Sequence, residues 1–460
     1  MSVRVRFAPS NTGHLHMGGA RTALFNYLFA KNQGGSFILR VENTDLERSK
    51  DEYIDSIVEA LEWLGMEPDE GPIFQTERFD LYREKVDQLL EAGLAYRCYS
   101  TPEELEAERE KALAEGRKPK YSRKWRDRTD HPEGEPYTVR IKMPLEGAVE
   151  IDDLVQGNVS VDVDELDDFI IMRSDGTPTY NFVVVVDDID MGITHVIRGD
   201  DHLNNTFRQV PVYHALDATP PIFAHLPLLS GLSKRKGSAA VQDYRDRGYL
   251  SEAIVNYISR LGWSHGDQEI FTPQELVDYF GFDSVGKSAS NFDEDKLNWV
   301  NTEWLKRLDG DERAKRWQPF VEDAGFDADL DYLADVAELM YDRVDTLVEL
   351  TEESRYFFDD DFETDQKAVD KWIDPANKEA FQALIAGLKE LDQWDSDAVG
   401  SHYRAIGNEY DLGLANLAQP TRIALTGSTS SPSVFALVAT FERDEAIARL
   451  EKSLSLFDQD

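Results

Sequence analysis

The sequence predicts an α/β protein: a parallel, doubly wound sheet split by an α+β insertion and followed by all-α C-terminal domains. Three observations carry this. The first forty-five residues read as strand, glycine-bearing loop, helix and strand, strand patterning returns near residue 180 after an interruption, and it nearly vanishes beyond residue 240. Val3, Val5 and Phe7 alternate with Arg4 and Arg6, the period of two of a strand with one buried face. Pro9-Ser10-Asn11-Thr12-Gly13 breaks that strand. A helix-forming run from Gly18 to Lys31 carries Leu24, Tyr27, Leu28 and Ala30 and is stopped by Gly34-Gly35. Ser36 to Val41 reads as the second strand. Strand, helix and strand in succession imply a right-handed parallel crossover, whose ligands sit at the carboxyl ends of the strands.

Residues near 101 to 175 read as the insertion, with strands expected at Tyr137 to Met143, Ala148 to Asp152 and Asp168 to Met172. The parallel sheet is expected to resume at Tyr180 to Val186, Ile193 to Arg198 and Ala224 to Leu229, with a helix between the last two. Leu333, Val336, Leu339, Met340, Val344, Leu347 and Val348 follow three- and four-residue spacing and predict one amphipathic helix; Phe381, Leu384, Ile385 and Leu388 predict another. Gly427 to Pro432 reads as a loop.

A chain of 460 residues and 52.3 kDa implies about three domains. With 41% apolar residues it can bury several cores, which argues against disorder. No apolar run, Phe182 to Val186 included, approaches the roughly 20 residues of a membrane span, and the N-terminus lacks a signal-peptide plan. A cytoplasmic protein with no membrane partner, acting as a monomer, is expected. The single cysteine, Cys98, excludes an intrachain disulfide and any zinc site built from several cysteines. The net charge of −40 argues against a polyanionic partner and, with arginine outnumbering lysine, fits an acidic surface adapted to high salt. Yet between Arg109 and Arg128 nine residues are basic and three acidic. That island reads either as a nucleic-acid contact or as an exposed, charged helix and loop.

Two motifs carry chemistry. Pro9 to Gly19 (PSNTGHLHMGG) lies where the first strand ends and the first helix begins, so backbone N–H groups and the positive helix end favour phosphate, and glycines permit close approach. It is not G-x-G-x-x-G, and His14 and His16 lack the helical spacing of a zinc site. Ser230 to Ser238 (SGLSKRKGS) follows the last strand of the split sheet, where Lys234 and flanking donors can neutralise charge on a triphosphate.

The first motif resembles the H-I-G-H region of class I aminoacyl-tRNA synthetases and the second their K-M-S-K-S loop. Closer still, Arg6 to Ser10, Gly18 to Asn26, Leu39 to Asp45, Pro178 to Phe182, His195 to His202 and Tyr244 to Asp267 resemble bacterial glutamyl-tRNA synthetases, and Gln419 to Gly427 resembles that family's last domain. The resemblance implies a Rossmann-type catalytic domain over 1–78 and 183–235, an acceptor-binding insertion over 79–182, a helical stem-contact domain over 236–318 and a helical anticodon-binding region over 319–460. It implies adenylation of L-glutamate by ATP with Mg2+, then glutamyl transfer to tRNA(Glu). His16 and Lys234 would be catalytic; His16, Gly18, Gly19, Ser233, Lys234 and Arg235 would bind ATP. Arg6 and Arg198 would supply planar forks for the two glutamate carboxylates, Glu42 the acid for its ammonium, Tyr180 the side of the pocket, and Ala8 and Ser10 its floor. The basic island would hold the tRNA through Lys118, Lys120, Arg123 and Lys124.

The chain departs from the family pattern at Asn11, Asn43 and Asp200 and, most consequentially, at Gly231 and Lys236, which deplete the second motif of its first lysine and a common histidine. Ser100 and Trp125 replace ligands of the zinc site that Cys98 would serve in some relatives, so no structural zinc is expected. Two other readings follow: a tRNA-binding paralogue with impaired catalysis, motivated by the depleted loop, and a glutaminyl enzyme, which would carry a β-barrel anticodon region instead of the helical one predicted here.

Overall fold

Strand β1 (Arg4–Phe7), helix α1 (Met17–Asn32) and strand β2 (Ser36–Val41) form the expected crossover, with Arg6 opposite Ile38 and Phe7 opposite Leu39 in a parallel ladder. The computed structural model describes residues 2–44, 51–231 and 240–458. They fall into two units, Met1–Tyr244 with Ser251–Glu294, and Arg245–Leu250 with Asp295–Asp460.

In the first unit, helix α2 (Asp51–Trp63) leads to β3 (Glu70–Phe74), which extends the sheet in parallel beyond β2. Helix α3 (Phe79–Glu91) enters the insertion, where β4 (Ala95–Cys98), helix α4 (Pro102–Ala114) and β5 (Thr138–Ile141) are followed by the hairpin β6 (Ala148–Asp153) and β7 (Gly157–Asp162), then β8 (Ile170–Met172). The order β4-β5-β8 makes a small antiparallel sheet. Helix α5 (Tyr180–Asp190), β9 (His195–Gly199), α6 (Leu203–Ala215) and β10 (Ile222–Leu226) return to the parallel layer. There β9 and β10 pair in parallel, and β6 pairs with β10 at Asp153 and Phe223. The hairpin read as part of a separate insertion thus completes the central sheet, in the order β7-β6-β10-β9. β9 follows directly on β1, where Thr194 N–H donates to the Arg4 carbonyl at 2.9 Å.

Two expectations fail here for physical reasons. Tyr180 to Val186 is not a strand but the start of α5, with Phe182 and Val183 through Val186 all 1% exposed or less. A helix apolar on every side is stable where neighbours cover every side, and period alone cannot separate a short apolar run of this kind from a buried strand. The single buried face expected of β1 is also wrong: Arg6 is 3% exposed, beside Val5 at 0% and Phe7 at 6%. Parallel sheets are covered on both faces, and the charge of Arg6 is met from α5.

The meeting point is Asp188. Its Oδ1 accepts from Arg40 Nη1 at 2.6 Å and from Arg6 Nε at 3.2 Å, and its Oδ2 from the Tyr213 hydroxyl at 3.1 Å. The neighbouring Asp187 accepts from Gln75 Nε2 and Arg78 Nε, each at 2.8 Å, and from the Tyr82 hydroxyl at 3.0 Å. Burial alone would raise the Asp188 carboxyl, but Arg6 and Arg40 outweigh it and hold it below the usual range. One dipeptide on α5 therefore ties down β1, β2, α3 and α6.

The second unit is helical throughout its described residues. The expected helix from Leu333 to Val348 is two, Leu330–Met340 and Leu347–Glu353, parted by a 3₁₀ turn at Tyr341–Arg343. The break is set by a cap that periodicity does not register: the Thr346 hydroxyl accepts from Glu349 N–H at 3.2 Å, while Glu349 Oε2 accepts from Asp345 N–H at 2.7 Å. Lys378–Lys389 forms as predicted around Phe381, Leu384, Ile385 and Leu388. Gly427 closes helix Ala415–Thr426 at φ 73°, and a Cβ there would sit 2.4 Å from the Glu363 carbonyl oxygen, so only glycine fits. No helix among the described residues is long and apolar enough to cross a membrane.

Replacing Asp188 by Asn would leave Arg6 and Arg40 buried without their counter-charge, a loss of about 3–5 kcal/mol. Differential scanning calorimetry should show the first unit's transition falling by roughly 10 °C. Because the folded carboxyl lies below its unfolded value, its contribution is present above the ordinary carboxylate range and disappears as pH falls through the folded value. The gap between Asp188→Asn and the unaltered protein should therefore narrow below about pH 4.

Candidate active site

The carboxyl ends of β1, β2 and β9 and the amino end of α1 surround a cavity of about 240 Å3. Arg6, Ala8, His16, Gly18, Gly19, Glu42, Tyr180 and Arg198, assembled from four separate stretches of sequence, all line it. Ser10 lies in an adjoining cavity of about 610 Å3 that shares Ala8, His16 and Gly19 with the first. Ser233, Lys234 and Arg235 lie outside the described residues.

His16 caps α1, its Nδ1 accepting from Gly19 N–H at 3.1 Å. Burial pushes its pKa down, so the ring is neutral, with Nδ1 occupied as an acceptor and the proton on Nε2. A donor at the positive end of a helix suits a phosphate oxygen. The adjacent glycines are packed rather than incidental: a Cβ on Gly18 would lie 3.2 Å from the His16 ring, and one on Gly19 2.9 Å from Leu15 Cδ1.

Across the cavity the charges are partly committed and partly open. Among the described residues Arg6 engages a partner only through Nε, on Asp188. Arg198 gives Nε to His225 Nε2 at 3.3 Å and Nη2 to Gln209 Oε1 at 2.8 Å and to Thr206 Oγ1, while its Nη1 is buried with no hydrogen-bond partner. Among the described residues no carboxylate lies within ion-pair distance of it, and burial, the largest influence, lowers its pKa. Glu42 is 13% exposed and receives only a long contact, 3.4 Å, from Arg40 Nη2. Burial raises its carboxyl above the ordinary range against the pull of Arg40 and Arg6. Tyr180 donates to or accepts from His202 Nδ1 at 3.1 Å, and burial, then the charge of Glu42, pushes its hydroxyl up to about 12. The guanidiniums of Arg6 and Arg198 and the carboxylates of Glu42 and Asp201 in one lining have the charges that suit a molecule bearing two carboxylates and an ammonium.

The sequence reading passed over Arg21 and His202 as site residues, although both stand in quoted stretches. Arg21 is 2% exposed and donates Nη1 to the Leu261 carbonyl at 3.0 Å and Nη2 to that of Pro227, joining α1 to the segment that leads into the second motif. A helical arginine with no acid nearby in sequence looks like surface; only the fold shows the carbonyls it serves.

The basic island is largely paired within its own domain. Lys118 meets Glu165 at 2.6 Å and Lys124 meets Glu104 at 2.8 Å, both lysines remaining 40% exposed or more. Arg123 turns inward, donating Nη2 to the Leu166 carbonyl at 3.4 Å beside Asp168, and Arg126 holds Asp168 through both carboxylate oxygens at 2.7 and 2.8 Å. Lys120 is exposed. Cys98 is buried against Tyr96, Tyr121 and Trp125, its thiol donating to the Tyr121 hydroxyl at 3.3 Å.

The chain matches known proteins over nearly its whole length. The catalytic-domain model of class I tRNA synthetases (E and Q) matches residues 2–299, and an anticodon-binding-domain model matches residues 312–454. A glutamate–tRNA ligase of Syntrophotalea carbinolica is 48% identical over 463 aligned residues, spanning 99% of each chain. One of Geotalea uraniireducens is 48% identical over 98% of each. The crystal structure of a glutamate tRNA ligase from Elizabethkingia meningosepticum, in complex with its amino acid, superposes with a TM-score of 0.90 at 32% identity, covering 99% of both chains. By sequence over nearly its whole length, and by fold, the chain is an enzyme of the glutamate–tRNA ligase family within the class I tRNA synthetases.

Proposed function

We propose that this chain ligates L-glutamate to tRNA(Glu) in two steps at the cavity described above. The observation that carries the reading is that Arg6 and Arg198, each with guanidinium nitrogens not taken up by protein partners, line one cavity with the buried acid Glu42. An oxygen of the glutamate α-carboxylate attacks the α-phosphorus of ATP, the bond to the β-phosphate bridge breaks, and pyrophosphate leaves. A hydroxyl of the terminal adenosine of the tRNA then attacks the carbonyl of the glutamyl-adenylate, and AMP departs with the electron pair of the acyl–oxygen bond. The chain forms no covalent intermediate: it orients the reactants and neutralises charge.

Arg6 and Arg198 hold the carboxylates, Glu42 the ammonium and Tyr180 the flank, over a floor of Ala8 and Ser10. His16 donates from Nε2 to a phosphate oxygen, the lack of side chains at Gly18 and Gly19 lets the nucleotide lie against the backbone, and Ser233, Lys234 and Arg235 receive the departing pyrophosphate. Mg2+, arriving on the triphosphate, supplies screening of phosphate charge; among the described residues no group of three or more His, Cys, Asp or Glu is placed to hold a metal. Lys118, Lys120 and Lys124 exchange their present partners or solvent for tRNA phosphates, whereas Arg123, engaged inward, supports the domain.

The direct test is glutamate-dependent exchange of pyrophosphate into ATP with tRNA and Mg2+ present. Exchange is expected; its absence would favour a tRNA-binding paralogue over a working ligase. Lys234→Ala should slow exchange on the order of a hundredfold, and Lys236→Ala less.

Glu42 gives a pH test. Its raised pKa means that, as pH falls, it takes up a proton before ordinary glutamates near 4.3 do and loses its hold on the ammonium. The kcat/KM for glutamate should therefore drop on the acid side above that value. Glu42→Gln should remove that limb and lower neutral-pH kcat/KM by about 10- to 100-fold.

For the island, exchanging Lys118, Lys120 and Lys124 together for Gln should raise KM for tRNA with KM for ATP unchanged. The salt slope of tRNA binding should become shallower by about one per lysine. Arg123→Gln should instead lower the melting temperature and leave tRNA affinity near that of the unaltered protein.

A further inference from the structure

Behind Arg198 runs a line of buried polar groups that the two chemical steps do not touch. Asp153, the last residue of β6, and His225, on β10, are both fully buried, with Asp153 Oδ2 and His225 Nδ1 2.6 Å apart. Asp153 also accepts the backbone N–H groups of His225 at 3.1 Å, Val155 at 2.9 Å and Gln156 at 2.8 Å. Four donors aimed at one carboxylate keep it ionised, so the proton of the pair sits on Nδ1 and the other ring nitrogen, Nε2, presents a lone pair. That lone pair faces the Thr206 hydroxyl at 2.9 Å and Arg198 Nε at 3.3 Å. The hydroxyl gives its one hydrogen to Nε2, and its oxygen is left to accept from Arg198 Nη2. Gln209, itself donating to Asn181 Oδ1 at 3.2 Å, takes a second contact from Nη2.

The direction of every bond in this line follows from the charge on Asp153. With the opposite tautomer, a proton on Nε2 would point at the N–H of Arg198, and the guanidinium would have to turn. With the proton on Nδ1, Nε and Nη2 are both engaged, and among the described residues Nη1 is without a partner. Burial, the largest influence, keeps His225 neutral, and Arg198 adds to that effect against the pull of Asp153.

We propose that Asp153 and His225 are positioning residues that fix the guanidinium of Arg198 for a carboxylate of the amino-acid substrate. The inference rests on the assignment of Arg198 to a glutamate carboxylate. It gives the inserted hairpin a part in amino-acid recognition, since Asp153 is the residue through which β6 joins β10.

The test is a double-substitution cycle read by pyrophosphate exchange with tRNA present. His225→Gln should lower kcat/KM for glutamate by about tenfold and leave KM for ATP unchanged, and Arg198→Lys should lower it by about a hundredfold. In the Arg198→Lys background, His225→Gln should then cost nothing further. If the two losses multiply instead, or if KM for ATP rises as much as that for glutamate, His225 is merely structural and the proposal falls. If Arg198→Lys leaves kcat/KM for glutamate intact, it is the carboxylate assignment that fails. Should His225→Gln not fold, Asp153→Asn, which keeps the volume and reverses the tautomer, carries the same expectations in the same cycle.

Discussion

The structure of the first unit depends on the solution to one electrostatic problem, the burial of Arg40 and Asp188 at the centre of a parallel sheet. Arg40 is fully buried, and its charge is met by Asp188 at 2.6 Å, with Asp187 and Glu42 nearby. Such a group of charges is costly to desolvate, and well-packed apolar residues would often be as stable. Its value lies in geometry. Arg6, on β1, and Glu42, just beyond the end of β2, adjoin this cluster, so these two charged residues of the cavity lining are fixed by the residues that hold the sheet to α5. The raised carboxyl of Glu42 and the lowered one of Asp188 come from the same environment and differ in how much cationic charge each captures.

Much of this was legible in the primary structure. The β1–α1–β2 crossover follows from alternation, a turn cluster and a glycine stop, and with it the place of Pro9 to Gly19 between strand and helix. The assembly of Arg6, Glu42, Tyr180 and Arg198 came from resemblance, not from pattern, since no local period joins residues that are nearly two hundred positions apart. What escaped is long-range or conditional. Tyr180 to Val186 has strand composition, and only its all-round burial makes it helical. Arg6 looked solvent-facing because its counter-charge sits on α5. Thr346 breaks a helix by a cap that an apolar period does not register. His225 and Asp153 carry no signal of their own, being one histidine among nine and one acid among eighty-nine.

The acidity of the chain and its nucleic-acid partner are reconciled locally. Lys118 and Lys124 are each held by a single carboxylate at an exposed position, where an ion pair is worth about a kilocalorie or less. A phosphate backbone can displace such partners at small cost. Arg123 and Arg126, in contrast, are engaged with the buried Asp168 and with carbonyls, which makes them framework. A uniform run of basic letters thus separates into two populations once burial is known.

The pairing of β6 with β10 bears on how this protein can be taken apart. The small β4-β5-β8 sheet is made of insertion strands alone, but the β6–β7 hairpin leaves that body to cover the flank of β10. An excision or exchange of the whole insertion between relatives would strip that flank and leave the backbone of Ile222 to Leu226 as an open edge, a template for intermolecular pairing. A chimaera that keeps β6 and β7 with the host and trades only the flanking portions would keep the edge sealed. The hairpin travels with the insertion in sequence but belongs to the catalytic sheet as a structural part.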